Sequence, residues 1–386
     1  MLASASSFGS GSDHGGTRQR RQVDKKKPST EIAKPPNEKS NIEKIRRRKY
    51  RPVWKRLANF GLKHRWPIPL IPLLVLILTY LLNPTESDIV HHFIFLSYKN
   101  NNQYGKGLRD IAFVLFYTIV LSFTRELIMH EFLRPLSLYY GITSKRKQDR
   151  FMEQMYTVIY FGLMGPLGLY IMRYSAPEVW YFNTSGMYAS FPHLTLDASF
   201  KAYYLFQAAY WGQQALVMIL RLEKPRKDFK ELVIHHVVTL ALIALSYRFH
   251  FTRIGIAVYV THDISDFFLA ISKSLHYTNS PLVAPAFGIC IIVWVYLRHY
   301  LNLRILISLL PGGAFQTVGP YELNWEMEQY KCWISNVITF GLLACLQALN
   351  LFWLYCLGRS AYRFVVHRVA RDDRSEDEDE VGYGDH

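Results

Sequence analysis

The chain has 386 residues, half of them hydrophobic and 15% aromatic, and carries a formal net charge of +15. Its apolar residues gather in repeated runs of about 20, the length of a bilayer-crossing helix, which excludes a soluble multidomain protein. The expected fold class is an all-α polytopic membrane protein. Nucleic-acid binding is excluded too, because the basic residues lack a folded reading module and lead straight into an apolar run.

Residues 1–65 hold much of the excess charge, in Arg20-Arg21, Lys25-Lys26-Lys27 and Arg46-Arg47-Arg48-Lys49, with Pro and Ser between them. This composition predicts a disordered cytosolic tail that sets topology or meets anionic lipid headgroups. No apolar core segment appears in the first 50 residues, so a cleavable signal peptide is not expected and the first span acts as its own insertion signal.

Eight spans are predicted, at roughly 66–82, 110–132, 152–172, 200–220, 232–249, 254–275, 283–309 and 333–357. Pro67, Pro69 and Pro72 suit the start of the first. The remainder of 66–109, with His91-His92, reads as a lumenal interfacial segment. With the basic tail inside, the loops carrying Arg134, Lys145, Arg146, Lys147 and Arg150, and Arg221, Lys224, Arg226, Lys227 and Lys230, are cytosolic. An opposite-side loop holds the sequon Asn183-Thr184-Ser185, making Asn183 a candidate glycosylation site. Cys290, Cys332, Cys345 and Cys356 have no metal-ligand pairing, which argues against both a disulfide framework and a zinc site. The tail at 358–386 turns from basic to acidic after Ser375, a candidate phosphorylation site; a plain solvated acidic tail is the alternative.

The chemistry is concentrated in two apolar segments interrupted by His235-His236 and by His262, Asp263 and Asp266. A single buried histidine is ordinarily a packing residue and a single intramembrane aspartate a helix–helix partner. Five ionisable groups on adjacent spans incur too great a desolvation cost for that account. The short connector makes the two helices antiparallel neighbours. His262, Asp263 and Asp266 are expected to share one helix face. At about 1.5 Å rise per residue, Asp266 lies roughly 14 Å and the histidine pair roughly 5 Å from the cytosolic end, close enough to meet in one cavity. A carboxylate beside histidine suits general-base and acyl-transfer chemistry. Di-iron chemistry needs more histidine boxes than this chain has, whereas a single zinc on two His and one Asp stays open; no metal is expected.

The block at 226–277, RKDFKELVIHHVVTLALIALSYRFHFTRIGIAVYVTHDISDFFLAISKSLHY, resembles the signature of TLC-domain ceramide synthases. The matching positions include Lys227-Asp228-Phe229, Glu231, His235-His236, Ser246-Tyr247, Arg253, His262-Asp263, Ser265-Asp266, Lys273 and Tyr277. The run at 332–358, CWISNVITFGLLACLQALNLFWLYCLG, and the text FHFT before Arg253 are similar to fungal members. The resemblance implies a helical TLC core at 110–357 enclosing a substrate tunnel, in the endoplasmic reticulum membrane, with both termini cytosolic. It implies N-acylation of a sphingoid base, dihydrosphingosine or phytosphingosine, by a long or very-long-chain fatty acyl-CoA. Acyl-CoA is then a co-substrate, and no cofactor is expected.

Carried over by motif, His235 and His236 match the catalytic histidines and Asp263 and Asp266 the motif aspartates. The base must lose a proton before its nitrogen attacks. Either a histidine takes that proton in a ternary complex, or an imidazole first accepts the acyl group. In the second scheme His235 carries the acyl group, while His236, Asp263 and Asp266 serve as base and orienting groups. Candidate substrate-binding residues are Lys145, Arg146, Lys147, Arg150, Lys224, Arg226 and Lys227 toward the CoA phosphates, most of which also serve the positive-inside rule, His262, and Arg298 and His299, which with Asn302 and the loop at 311–328 are expected at the lumenal end of the tunnel. That loop bears on chain-length choice in animal members; Arg298 as a helix-end snorkelling residue is the plainer account. Expected partners are membrane lipids, a small single-span accessory subunit, and a second copy or paralogue in a dimer. The alternatives are a non-enzymatic TLC-domain lipid transporter or binding protein, and a membrane metal oxidoreductase.

Overall fold

A computed structural model describes residues 66–85, 89–223 and 226–367. The basic tail, Lys224, and the carboxyl-terminal tail with Ser375 lie outside the described residues. Eight long helices follow one another: α1 (Pro67–Leu82), α2 (Arg109–Tyr139), α3 (Lys145–Tyr174), α4 (Ala198–Ile219), α5 (Phe229–Arg248), α6 (Thr252–Tyr277), α7 (Val283–Ser308) and α8 (Trp333–His367). Among the described residues, six of them are long and apolar enough to cross a membrane: α2, α3, α5, α6, α7 and α8. α1 is apolar but has only 16 residues. α4 has the length, at 22 residues, yet buries Lys201, Gln207 and Gln213, which lowers its hydropathy. α3 starts earlier than its apolar run, because the polar stretch from Lys145 winds on as helix after the extended Ser144.

The distribution of polarity is that of a protein solvated by lipid. Leu163, Ile219 and Ile292 are about seven-tenths exposed, whereas Lys201, Gln207, Asp263 and Asn350 are wholly buried. Helices hold their backbone polar groups internally, so apolar side chains face outward and polar ones pair within the bundle. α6 is packed on both sides, with α3 along one flank and α7 along another. The α3 contact is close because glycine permits it. A Cβ on Gly168 would lie 2.7 Å from Val260 Cγ2 and would also strike the Tyr203 hydroxyl. Tyr160 of α3 stacks on Tyr210 of α4 with ring centroids 3.6 Å apart.

The bundle has two unlike ends. The basic end carries the 140–144 and 278–282 connections and the described residues 220–223 and 226–228, with Arg221, Arg226 and Lys227. The other is capped by irregular chain and a small antiparallel sheet of β1 (Lys99–Asn100), β2 (Gln103–Tyr104) and β3 (Leu196–Asp197), in that order. Lys201, in the first turn of α4, fastens the cap. Its ammonium is 2.7 Å from Asp110 and donates to the carbonyls of Ser97 and Gly105 at 2.8 and 2.7 Å. Tyr247 of α5 donates to the same aspartate at 2.8 Å.

Candidate active site

α5 enters the bundle at the basic end, and His235 and His236 follow in its second turn, both buried. Their rings are 5.7 Å apart and nearly perpendicular. His235 lies edge-on between two indoles, Trp211 of α4 at 5.5 Å and Trp353 of α8 at 5.2 Å. Trp353 is itself fixed, donating Nε1–H to Asp228 at 3.2 Å, just ahead of α5. The His235 Nδ1 is buried and has no hydrogen-bond partner. His236 differs: its Nδ1 is 2.8 Å from the Leu232 carbonyl. A carbonyl only accepts, so Nδ1 carries the proton and Nε2 keeps its lone pair.

On α6 the three polar residues separate. Asp266 pairs with Arg298 at 2.6 Å. Arg298 reaches it from a π-helical turn in α7, Val295–Leu301, and is only 2% exposed. Its guanidinium also donates to Ser265 Oγ at 2.6 Å and Asn350 Oδ1 at 3.1 Å, and lies 4.0 Å from the Trp294 ring centroid. π-helical turns occur frequently at functional sites. His262 holds Nδ1 2.8 Å from the Val258 carbonyl and presents Nε2 to the Asn350 amide at 3.4 Å. Asp263 instead turns to α4, accepting from Gln207 and, at 3.3 Å, from Tyr203. Tyr160 in turn donates to Gln207 at 3.0 Å. The expected common face for His262, Asp263 and Asp266 is thereby corrected. α6 is surrounded, so angular separations of about 40–100° between these positions are enough to aim them at different neighbours.

Two cavities meet at this point. One opens toward the basic end and is lined by His235, His236, Asp266 and Arg298, with Arg221, Arg226 and Lys273 nearer its mouth. The other is strongly apolar and runs between α5, α6 and α8 toward the cap. It passes His235, His262, Thr239 and Leu346 and ends against Leu323, Trp325 and Tyr330. His235 and Trp211 line both. At about 1.5 Å per residue, the axial distance along α5 from His235 to Phe249, near the cap, is about 21 Å.

The structure thus brings His235, His236, Asp266 and Arg298 into one cavity and His262 into the other. Asp263 lines neither. Arg298 was expected at the far end of the tunnel or snorkelling; it sits at the reaction end, wholly paired. His299 and Asn302 line neither cavity, since His299 accepts from Gln347 at 2.7 Å and Asn302 donates to the Arg298 carbonyl at 3.3 Å. Of the cations expected toward the CoA phosphates, Arg226 lines the cavity, whereas Lys145, Arg146, Lys147, Arg150 and Lys227 lie off both linings; Arg221 and Lys273 join Arg226 there. Asn183 is exposed at the capped end and its side chain makes no capping bond. Among the described residues, no group of three His, Cys, Asp or Glu side chains is placed to hold a metal ion. Sequence reasoning missed Trp211, Trp353, Gln207 and Asn350. The two amides did carry a signal, as polar groups inside membrane-grade helices.

The TLC domain family matches residues 150–359, which takes in α4 to α7 with most of α3 and α8 and leaves α1 and α2 outside. A sphingosine N-acyltransferase-like protein of Gibberella moniliformis is 54% identical over 358 residues, 90% of this chain and 91% of that one. A sphingosine N-acyltransferase of Schizosaccharomyces pombe is 49% identical over 319 residues, 82% of each chain. A ceramide synthase of Saccharomyces cerevisiae is 46% identical over 333 residues, 85% of this chain and 80% of its own. With matches of this extent laid over the buried histidine and carboxylate site, the chain belongs to the TLC-domain acyltransferases, within the fungal sphingosine N-acyltransferases or ceramide synthases.

Proposed function

We propose that this enzyme transfers a fatty acyl group from acyl-CoA to the amine of a sphingoid base, with His235 as the acyl carrier. One observation carries the reading: His235 lies where a polar cavity, whose lining holds Arg221, Arg226 and Lys273 together with Glu223 and Asp228, meets an apolar tunnel. A fatty acyl thioester has those two halves, and its reacting carbonyl lies at their boundary. Arg221, Arg226 and Lys273 suit the CoA phosphates, and the tunnel suits the acyl chain.

In the first step an imidazole nitrogen of His235 adds to the thioester carbonyl. The carbon–sulfur bond breaks, and the proton displaced from the ring leaves with the CoA sulfur. In the second step His236 Nε2 takes the extra proton of the long-chain ammonium. The free amine attacks the acyl-imidazole, the bond to His235 breaks, and the amine's second proton restores the neutral ring. Asp266 neutralises the Arg298 guanidinium, which would otherwise oppose a positive charge developing on His235. Asp263 acts as a positioning group that fixes α6 to α4 through Gln207. No observation favours lipid transport without chemistry, which would have no use for a His236 lone pair next to the ring at this junction.

The same reading makes the basic end cytosolic, in the endoplasmic reticulum membrane, with both termini on that side and Asn183 in the lumen as a glycan acceptor. A single-span accessory subunit and a dimer are proposed on family resemblance alone. The test is amide formation by purified protein given acyl-CoA and dihydrosphingosine. Mass spectrometry of protein exposed to acyl-CoA without the base should find an acyl adduct on the peptide containing His235. Turnover with no adduct under the same conditions would sink the acyl-histidine route and leave direct attack.

A further inference from the structure

A second buried cluster of titratable groups lies at the capped end, far from the histidine pair. His250, 3% exposed, sits in the short connection between α5 and α6. Its Nδ1 is 3.0 Å from the Lys106 ammonium, and its Nε2 is 2.9 Å from a carboxylate oxygen of Glu328. Lys106 also donates to the His193 carbonyl at 2.7 Å. Burial brings Lys106 down to about 7 and His250 down to about 4. A neutral His250 therefore accepts from lysine on one nitrogen and donates to glutamate with the other.

Each partner stands on a different part of the protein. Lys106 follows β2 and sits beside Asp110 and Lys201, the fastened part of the cap. Glu328 belongs to the 309–332 loop, whose Trp325 and Tyr330 form the end wall of the tunnel. The Tyr330 ring lies parallel to His250 with centroids 5.9 Å apart, and meets Trp325 edge-on at 5.3 Å. His250 and Glu328 both adopt left-handed backbone, with φ of 66° and 50°. Residues other than glycine hold that conformation at a cost, so the surroundings must fix it. The rest of the loop is held by its own hydrogen bonds, Asn324 with Gln329 and Gln329 Nε2 on the Pro320 carbonyl at 2.9 Å, and by ring packing, with Tyr330 edge-on to Phe249 at 5.1 Å and Phe315 buried against Tyr188 and Phe251.

We propose that Lys106, His250 and Glu328 form a clasp that fixes the height of the Trp325 and Tyr330 wall in the tunnel, and so sets the longest acyl chain the enzyme accepts. The inference rests on the acyl-CoA reading for the identity of the ligand. It adds that chain length is set in part by Lys106, which lies outside the residues matched by the TLC family. His250 and Glu328 act here as positioning residues, since neither lines the tunnel.

The experiment compares full-length wild type, Glu328→Gln and His250→Gln, with Glu322→Gln as a control on an exposed acid of the same loop. Hydrogen–deuterium exchange reads the loop at 318–330. Amide formation, and separately thermal stabilisation by acyl-CoA, are measured across a series of chain lengths. Both clasp variants should exchange faster in the loop and should gain on the longest acyl-CoA relative to the preferred one by about tenfold, the scale that one or two methylenes carry. The control should match wild type. Unchanged exchange in both clasp variants overturns the clasp. Faster exchange with an unchanged chain-length ratio, or an equal loss at every length, overturns its role in specificity. If wild type makes no amide but the chain-length limit for stabilisation still moves in the variants, the clasp stands and the reading of the reaction falls.

Discussion

The two polar regions of this bundle treat buried charge in opposite ways. At the capped end, Lys201 has Asp110 and two carbonyls, and His250 uses both ring nitrogens. At the reaction end, buried atoms go without hydrogen bonds: His235 Nδ1, one oxygen of Asp228 and one of Asp263. Buried polar groups cost free energy when unpaired, so a protein retains such atoms where a ligand or a reaction step completes them. Gln329 Oε1 and Thr252 Oγ1 near the cap are unpaired as well, so the contrast is sharpest at His235, the unpaired residue that both cavities share.

Four measurements would break or sharpen that contrast. The largest effect is expected from His235→Ala, which should lower amide formation at least about a thousandfold. Its melting temperature should stay within about 5 °C of wild type, because that ring makes no hydrogen bond to lose. A large fall in stability with activity retained would recast His235 as fastening. Next, Arg298→Met leaves Asp266 without its cation in a mostly buried setting and should cost about 3 kcal/mol in detergent unfolding. The double variant with Asp266→Asn should recover part of this, and additive losses would show the pair to be uncoupled.

Lys201→Met should be similarly or slightly less destabilising, at about 2–3 kcal/mol, yet leave turnover per folded molecule close to wild type. Loss of turnover at full stability would erase the distinction between the two ends. The smallest effect concerns pH. His250 and His193 are both held down to about 4 by burial, from an ordinary value of 6.5. The unfolded chain therefore binds protons first as pH falls, and stability present above 6.5 should drain away toward 4. His250→Gln should flatten that slope in a thermal-shift series; an unchanged slope would show that His250 titrates alike folded and unfolded.

The helices and the histidine pair were legible in the sequence because both signals are local. Apolar runs and their ionisable interruptions can be read without knowing which helix neighbours which. Arg298 was misplaced because its destination depends on the π-helical turn in α7, which no periodicity of 3.6 anticipates. Asp263 and Asp266 looked equivalent by spacing, and only the arrangement of α4 and α7 around α6 divides them. Trp353 reads as an ordinary apolar residue until Asp228 is found beside its indole nitrogen. The clasp was invisible for another reason: Lys106, His250 and Glu328 lie on three distant stretches of chain, each unremarked by itself.

The turn at Val295–Leu301 has a consequence for how α7 tolerates change. A π-helical turn admits one more residue than the α-helix around it, which puts the stretches on either side out of phase by about 100°. Trp294 and Arg298 can then meet the reaction end while Ile305 and Leu306 still face the core. Deleting a single residue inside the turn would restore uniform α geometry and better hydrogen bonds, yet bring the two stretches back into phase and swing one of them off its target. A locally improved helix would therefore be the more damaged protein.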